Sequence, residues 1–483
     1  MSELYERVAE LARRTVRNNL WRQRQCFNLI PSETTPSLLV KLCEIADPAG
    51  RYAEHRTLKG REIYFYQGTG FIQEVEEEAR REMQRFFGCE EAELRPISGQ
   101  MANEIVFKAA VRWLRGQEES KPLRRLRRVL NNDLTAGGHL SAQPMGALFN
   151  YVDVDPATGA ECVVHFPPRA DNPYRTDTGK LAELLHAARP ELVVFGKSMF
   201  LYPEPVREVA AIVRDLEPRP ILHYDMAHVL GLYGAFQEPL QEGADVVTGS
   251  THKTFFGTQR GVVVSNLGKD SPLRKLWLEI KTRTFPGSTS NHHLGTLVGL
   301  LLATYEMNTF KKEYQEAVRR NAQAFARALD AAGVRVEGSR DDGFTHTHQV
   351  VIRVRDHGTG EEIAQRLERN HVVANYQALP NDTSFVESSG IRLGTQEMTR
   401  FGMGPPDFER LAGWIADVVR RDRNVADEVA RERQHFLTMR YCLPAEQALP
   451  LAAQLLASLL PGSEYGQRFA EALAAAARAA GAG

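Results

Sequence analysis

The sequence predicts an α/β fold, a mostly parallel sheet with helices on both faces, followed by a smaller α+β domain at the carboxyl side. Three observations carry this. Short β-rich runs alternate with helical stretches as far as about residue 285, several of those runs end in polar or glycine-rich clusters, and the texture changes after a long helical stretch.

In chain order, Leu4, Val8, Leu11 and Val16 recur near helical spacing and predict an amphipathic arm over residues 1–30, closed by the turn-rich "LIPSETTPS". A large domain is expected over 31–305. Within it "RRVLNN", "ELVVFGKS", "PILHYDMAH", "ADVVTGS" and "GVVVSN" read as strands, set against the helices "FIQEVEEEARREMQRFFG" and "EPVREVAAIVRDL". After the helical "LVGLLLATYEMNTFKKEYQEAVRRNAQAFARALDAAG", the runs "HQVVIRV", "EEIAQRLERNHVVANYQ" and "SGIRLGT" predict the small domain over 306–440. The Ala- and Leu-rich tail, 441–483, should add one or two helices.

Composition narrows the function. The chain of 483 residues can bury a large core, and Lys+Arg 60 against Asp+Glu 61 leaves a formal charge of -1, so no global field recruits nucleic acid or an anionic membrane. No run is long and apolar enough to span a bilayer. A small-molecule partner is expected. The five cysteines, Cys26, Cys43, Cys89, Cys162 and Cys442, are an odd number without a CxxC pair, which argues against a zinc site or a disulfide framework. With a charged amino terminus that lacks an apolar core of signal-peptide type, a cytoplasmic protein is expected.

The chemistry concentrates at strand ends. "VTGSTHKTFFGTQRG" places Lys253 among hydroxyls and glycines, and "LHYDMAHVLGL" ends a strand at Asp225 with His228 close behind. In an open parallel sheet such ends converge on one crevice, so Asp225, His228, His252 and Lys253 can share a site. Pyridoxal phosphate needs such a set: an amine for its aldehyde, a carboxylate for its ring nitrogen, a flat group against its ring and donors for its phosphate. Lys253 and Asp225 supply the first two. His139 in "LTAGGHLS" can supply the third, and Ser98, Gly99 and Gln100 stand where a turn opens a helix whose free N–H groups suit phosphate. Taken singly, each motif has a structural reading as an N-cap, a turn or a solvated loop. Their complementary roles within one α/β stretch favour the shared site.

The series "NLIPSETTPS", "RYAE", "ELRPISGQMAN", "AGGHL", "DMAHVLGL", "VVTGSTHKT", "TFPG" and "SGIRLGT" resembles, in that order, the motifs of serine hydroxymethyltransferases, pyridoxal-phosphate enzymes of aspartate-aminotransferase fold. The resemblance covers roughly residues 20 to 440. It implies that Lys253 bonds the cofactor's aldehyde, that Asp225 partners its ring nitrogen and that His139 stacks on the ring. Ser98, Gly99, Gln100, Ser250, His252 and Gly287 would lie around the cofactor, with Ser198 and His228 at its phenolic oxygen and the substrate. Arg392 would grip the amino-acid carboxylate with a bidentate fork, and Ser32 would line the same pocket. Glu54 would be the acid/base group, with Tyr52 and Tyr66 reaching phosphate and substrate from a neighbouring subunit of a homodimer or homotetramer.

Departures from the family pattern bear on substrate. Thr248, Gly249, Ser250 and Thr251 replace a run of four threonines, "STSNHH" replaces a glycine-rich loop, and "GTQRG" stands for "GPRGG". "HRTLKGREIYF" is about three residues longer than usual, so a reshaped substrate mouth is expected. Leu134 and Leu140 match pterin-lining leucines and "LPND" is present, but Gln377 stands where an asparagine is expected. The readings therefore open are a hydroxymethyltransferase acting on serine, or an α-substituted serine, with tetrahydrofolate as one-carbon acceptor; a folate-independent threonine aldolase or transaldolase; and a non-catalytic cofactor-binding scaffold.

Overall fold

The computed structural model describes residues 2–58, 61–116, 124–380, 382–383, 387–460 and 462–481. Residues 59–60, Asn381 of "LPND" and the last two residues of the tail lie outside the described residues.

A seven-stranded sheet organises the first half of the chain. Its spatial order is Glu91–Glu93, Gly261–Ser265, Val246–Ser250, Ile221–Asp225, Leu192–Phe195, Val129–Asn131 and Val163–His165. The last five of these pair in parallel, while Gly261–Ser265 runs antiparallel to both of its neighbours. Val246–Ser250, Ile221–Asp225 and Leu192–Phe195 are buried along their whole length, as expected for near-continuous Val/Ile/Leu runs covered on both faces. Core residues such as Val193, Phe195, Leu222 and Val247 pack on helix Gly70–Phe87 on one side, and Val129, Val194, Ile221 and Val246 pack on helix Gly99–Arg115 on the other. The α/β class and the mostly parallel sheet expected from the sequence are what the chain adopts.

A second sheet of four antiparallel strands, in the order Arg335–Val336, Gln349–Arg353, Gly390–Gly394 and Asn375–Gln377, has its own core around Val350, Ile352, Ile391 and Leu393. The 38-residue helix Leu294–Ala331 serves both cores, with Leu294 to Val318 in the first and Ala322 to Leu329 in the second. One rigid helix thereby sets the second sheet against the carboxyl ends of the first.

The arm forms helix Ser2–Leu20, whose apolar Leu4, Val8, Leu11 and Val16 all face solvent. The tail supplies helices Ala445–Ser458 and Ser463–Gly481. The lengthened segment after "RYAE" is an antiparallel hairpin, His55–Leu58 with Arg61–Tyr64. No helix among the described residues is long and apolar enough to cross a membrane.

Candidate active site

Lys253 sits just past the end of strand Val246–Ser250, in a run of turns that tucks the side chain inward until only 9% of its surface is accessible. Its Nζ lies 3.2 Å from His228 Nε2. Burial pushes the ammonium's pKa down from 10.5 to about 8, Asp225 working against that shift and Arg392 with it. The free amine, the form that attacks an aldehyde, is therefore accessible near neutrality. Burial, and then the Lys253 charge, hold His228 well below its ordinary value, and the same two causes bring His252 down to about 4.

Asp225 ends the neighbouring strand Ile221–Asp225 and is almost fully buried. Its Oδ2 accepts from His139 Nδ1 at 2.5 Å and from Asn103 Nδ2 at 2.7 Å, and Oδ1 accepts from the Ala227 N–H at 3.0 Å. Burial alone would raise its pKa, but the His139 ring and these N–H groups hold it well below the usual carboxylate range. A carboxylate has about four acceptor positions, so these three bonds leave one open, on Oδ1. The His139 ring stands edge-on to His228, 5.3 Å between centroids and 89° between planes.

Ser98 caps helix Gly99–Arg115, its hydroxyl accepting from the Met101 N–H at 3.1 Å. A Cβ at Gly99 would meet Ser250 Oγ at 2.2 Å, so the helix mouth lies directly against the hydroxyl at the end of strand Val246–Ser250. The first N–H groups of a helix have no partner within it. Here they open beside the Ser250 hydroxyl with Gln100 exposed at the rim, a concave set of donors suited to a phosphate. The same packing accounts for Gly249, because a Cβ there would meet Leu230 Cδ1 at 2.4 Å.

Arg392 reaches the site from the middle of strand Gly390–Gly394. It is 7% exposed; its Nη1 donates to the Ser198 carbonyl at 2.6 Å, and Nε faces Asn375 Oδ1 at 3.5 Å. Burial lowers its pKa to about 10. No carboxylate among the described residues pairs with it, and a buried guanidinium without an anion is costly unless a ligand supplies one. Ser198 links this side to His139, since its hydroxyl donates to the Gly138 carbonyl at 3.3 Å. Ser32 follows Pro31, whose carbonyl accepts from His348 Nε2 at 3.1 Å, and burial first, then Arg392 and Lys253, bring His348 down to about 3.

Tyr52, Glu54, Tyr66 and Gly287 gather elsewhere. The Tyr52 and Tyr66 rings lie 5.2 Å apart and are about half exposed, and Asn291 Nδ2, on the loop after Gly287, donates to the Arg51 carbonyl at 2.7 Å. Among the described residues no hydrogen bond, ion pair or ring contact joins these four to Lys253, Asp225 or Arg392. Two departures from the family pattern meet beneath this patch: Arg260 of "GTQRG" is fully buried and donates to the His293 carbonyl at 3.0 Å and to His292 Nδ1 at 3.1 Å.

His292 also belongs to a buried group with His55 and Glu76 whose ligand atoms lie within 4.8 Å of one another. Arg260 can only donate, so the His292 proton resides on Nε2, 3.6 Å from Glu76 Oε2. That leaves no lone pair on His292 for a metal, and His55 Nε2 pairs with Glu76 Oε1 at 3.3 Å under the hairpin.

Sequence reasoning did not single out Asn103 and His223 beside Asp225, or Asn375 and His348 beside Arg392, and named Thr248 only as part of the segment that stands for a run of threonines. Asn103 lies within the quoted "SGQMAN" motif, one helical turn beyond its glycine, and that position was the available signal. His223 and His348 carry no such mark in the sequence.

The geometry fits pyridoxal phosphate, with an amine of lowered pKa, an ionised carboxylate with one open acceptor position and an anion cradle at a helix mouth within one crevice. The model of a family described as serine hydroxymethyltransferase matches residues 6–415. A serine hydroxymethyltransferase of Pyrobaculum calidifontis is 38% identical over 444 residues, spanning 91% of this chain and 96% of its own. That of Staphylothermus marinus is 35% identical over 448 residues, with 91% and 94% covered. Among solved structures, an L-threonine transaldolase from Pseudomonas fluorescens superposes with a TM-score of 0.77 at 25% identity, over 93% of this chain and 99% of that one.

Proposed function

The chain belongs to the serine hydroxymethyltransferase family, and from that premise we propose that it exchanges the hydroxymethyl group between serine and glycine with tetrahydrofolate as the one-carbon acceptor. It is a pyridoxal-phosphate enzyme. Bound in the crevice, the cofactor supplies an electron sink conjugated to the amino acid's Cα.

The residues divide the remaining work. Lys253 would hold the cofactor through its amine. Asp225 keeps the ring nitrogen protonated, and His139 covers the ring. The mouth of helix Gly99–Arg115, with Ser98, Ser250 and His252, holds the phosphate. Arg392 fixes the substrate carboxylate, which turns the Cα–Cβ bond of serine toward cleavage. Glu54, supplied by a second copy together with Tyr52 and Tyr66, takes the β-hydroxyl proton as that bond breaks. Arg392 carries the reading, because a buried guanidinium lacking a carboxylate, in the same crevice as the Lys253 amine, is matched by an α-amino acid. A cytoplasmic location accords with five free cysteines.

The test is glycine formation from serine with and without tetrahydrofolate. Turnover that requires folate supports the proposal; equal turnover without it contradicts the folate assignment. A second reading, transfer of a glycyl unit from threonine to another aldehyde, is favoured by the likeness to the threonine transaldolase. It predicts acetaldehyde release from threonine with an added aldehyde as acceptor.

A further inference from the structure

Beneath Asp225 a line of buried side chains leads away from the crevice. Asn103 comes from helix Gly99–Arg115, Thr248 from strand Val246–Ser250 and His223 from the same strand as Asp225, and all three are fully buried. Their hydrogen-bond directions are determinate. An ionised Asp225 can only accept, so Asn103 must present Nδ2 to Oδ2, at 2.7 Å, which turns its Oδ1 toward Thr248. The single hydroxyl proton of Thr248 goes to that Oδ1 at 2.5 Å. Thr248 Oγ1 can then only accept from His223 Nε2, at 2.8 Å. Consistently, His223 Nδ1 is without a hydrogen bond, as a bare lone pair would be. Burial keeps this ring neutral by pushing its pKa down to about 4.

The bonds of the line therefore run toward Asp225, while the second Nδ2 proton of Asn103 goes to Ser141 Oγ at 2.8 Å. His223 packs edge-on to Phe107, with centroids 5.7 Å apart, in a strand buried along its whole length. A buried polar group in such a place is unfavourable unless its bond is used.

We infer that Asn103, Thr248 and His223 are positioning residues that hold Asp225 ionised and oriented, so that the proton it shares with the cofactor's ring nitrogen stays on the nitrogen. The inference rests on the assignment of Asp225 to that nitrogen. Donors to a carboxylate lower its proton affinity, and withdrawing them one bond away lets the shared proton move toward Asp225. The ring nitrogen then loses positive charge without any change in the residue that touches it.

The experiment is nuclear magnetic resonance of the holoenzyme reconstituted with pyridoxal phosphate labelled with nitrogen-15 in the ring, at neutral pH. The variants are Thr248→Val, Thr248→Ser, His223→Phe and Asp225→Asn. We expect the wild-type signal at the protonated position and the Asp225→Asn signal at the unprotonated one. Thr248→Val and His223→Phe should lie in between, and Thr248→Ser, which keeps the hydroxyl, should return to wild type. If Thr248→Val fails to take up cofactor, His223→Phe, which leaves the Asn103 bonds in place, gives the reading alone. Wild-type signals in the relay variants, beside a shifted Asp225→Asn signal, overturn the inference and leave the Asp225 assignment standing. An unshifted Asp225→Asn signal overturns both.

Discussion

Lys253 Nζ and His228 Nε2 face one another across 3.2 Å, 25 residues apart in the chain, at the ends of adjacent strands of one sheet. The pKa of each is lowered there. Burial favours the neutral form of both, in a pocket that also contains the charges of Asp225 and Arg392.

The first prediction concerns pH. Because the pKa of Lys253 is lowered from 10.5 to about 8, the neutral amine becomes dominant from about 8 upward. The rate at which the cofactor-free protein captures pyridoxal phosphate should rise with pH and level off above that point, as followed by absorbance after mixing. A rise continuing to the ordinary lysine value would contradict the lowered pKa. Between the two values the unfolded chain binds a proton that the folded chain does not, so stability of the cofactor-free protein should gain from this group as pH rises through that window.

Asp225→Asn keeps the shape of the strand end but removes its charge. Turnover should fall by roughly a hundredfold or more, with the cofactor still bound. Wild-type kcat in this variant would mean that another group maintains the ring's charge.

For Arg392→Lys, affinity for serine and glycine should drop by about tenfold or more while cofactor content is unchanged, because an ammonium cannot reproduce a two-pronged contact. Titration of the cofactor absorbance with glycine reads this directly. An unaltered dissociation constant would move the carboxylate site elsewhere.

Gly99→Ala places a methyl group 2.2 Å from Ser250 Oγ and should turn that hydroxyl away from the helix mouth. Cofactor affinity should weaken by about tenfold or more, since the phosphate cradle loses the Ser250 donor and gains a methyl group at its mouth. Equilibrium binding of pyridoxal phosphate measures it, and undiminished affinity would place the phosphate elsewhere.

Mixing Lys253→Ala with Glu54→Ala should regenerate activity. In a hybrid dimer one site takes its lysine from one chain and its glutamate from the other, and carries neither lesion. Random exchange should restore about a quarter of wild-type activity. No recovery, with exchange verified by mass, would show that each site is built from one chain.

The meeting of Lys253, His228, Asp225 and His139 was legible because each lies at a strand end or in a turn, and strand ends of a parallel sheet share one crevice whatever the loops between them do. Arg392 was legible only through its motif, since nothing in "SGIRLGT" alone says that its strand faces the other sheet. The separation of Tyr52, Glu54 and Tyr66 from Lys253 within one chain accords with their expected role in a neighbour's site.

By itself the sequence determined the alternation of strand and helix, the family, and the chemistry of the strand ends, because these depend on local period and on residue type at a few positions. Only the tertiary structure decided that Asn103 would bond Thr248 from 145 residues away, with His223 behind it, and that Arg260 would seize His292. Those contacts are set by how closely a helix packs on a sheet, at places such as Gly99 where the absence of one Cβ allows the approach. Hydrogen-bond direction then follows from which groups can donate, a constraint that exists only once the partners are in contact.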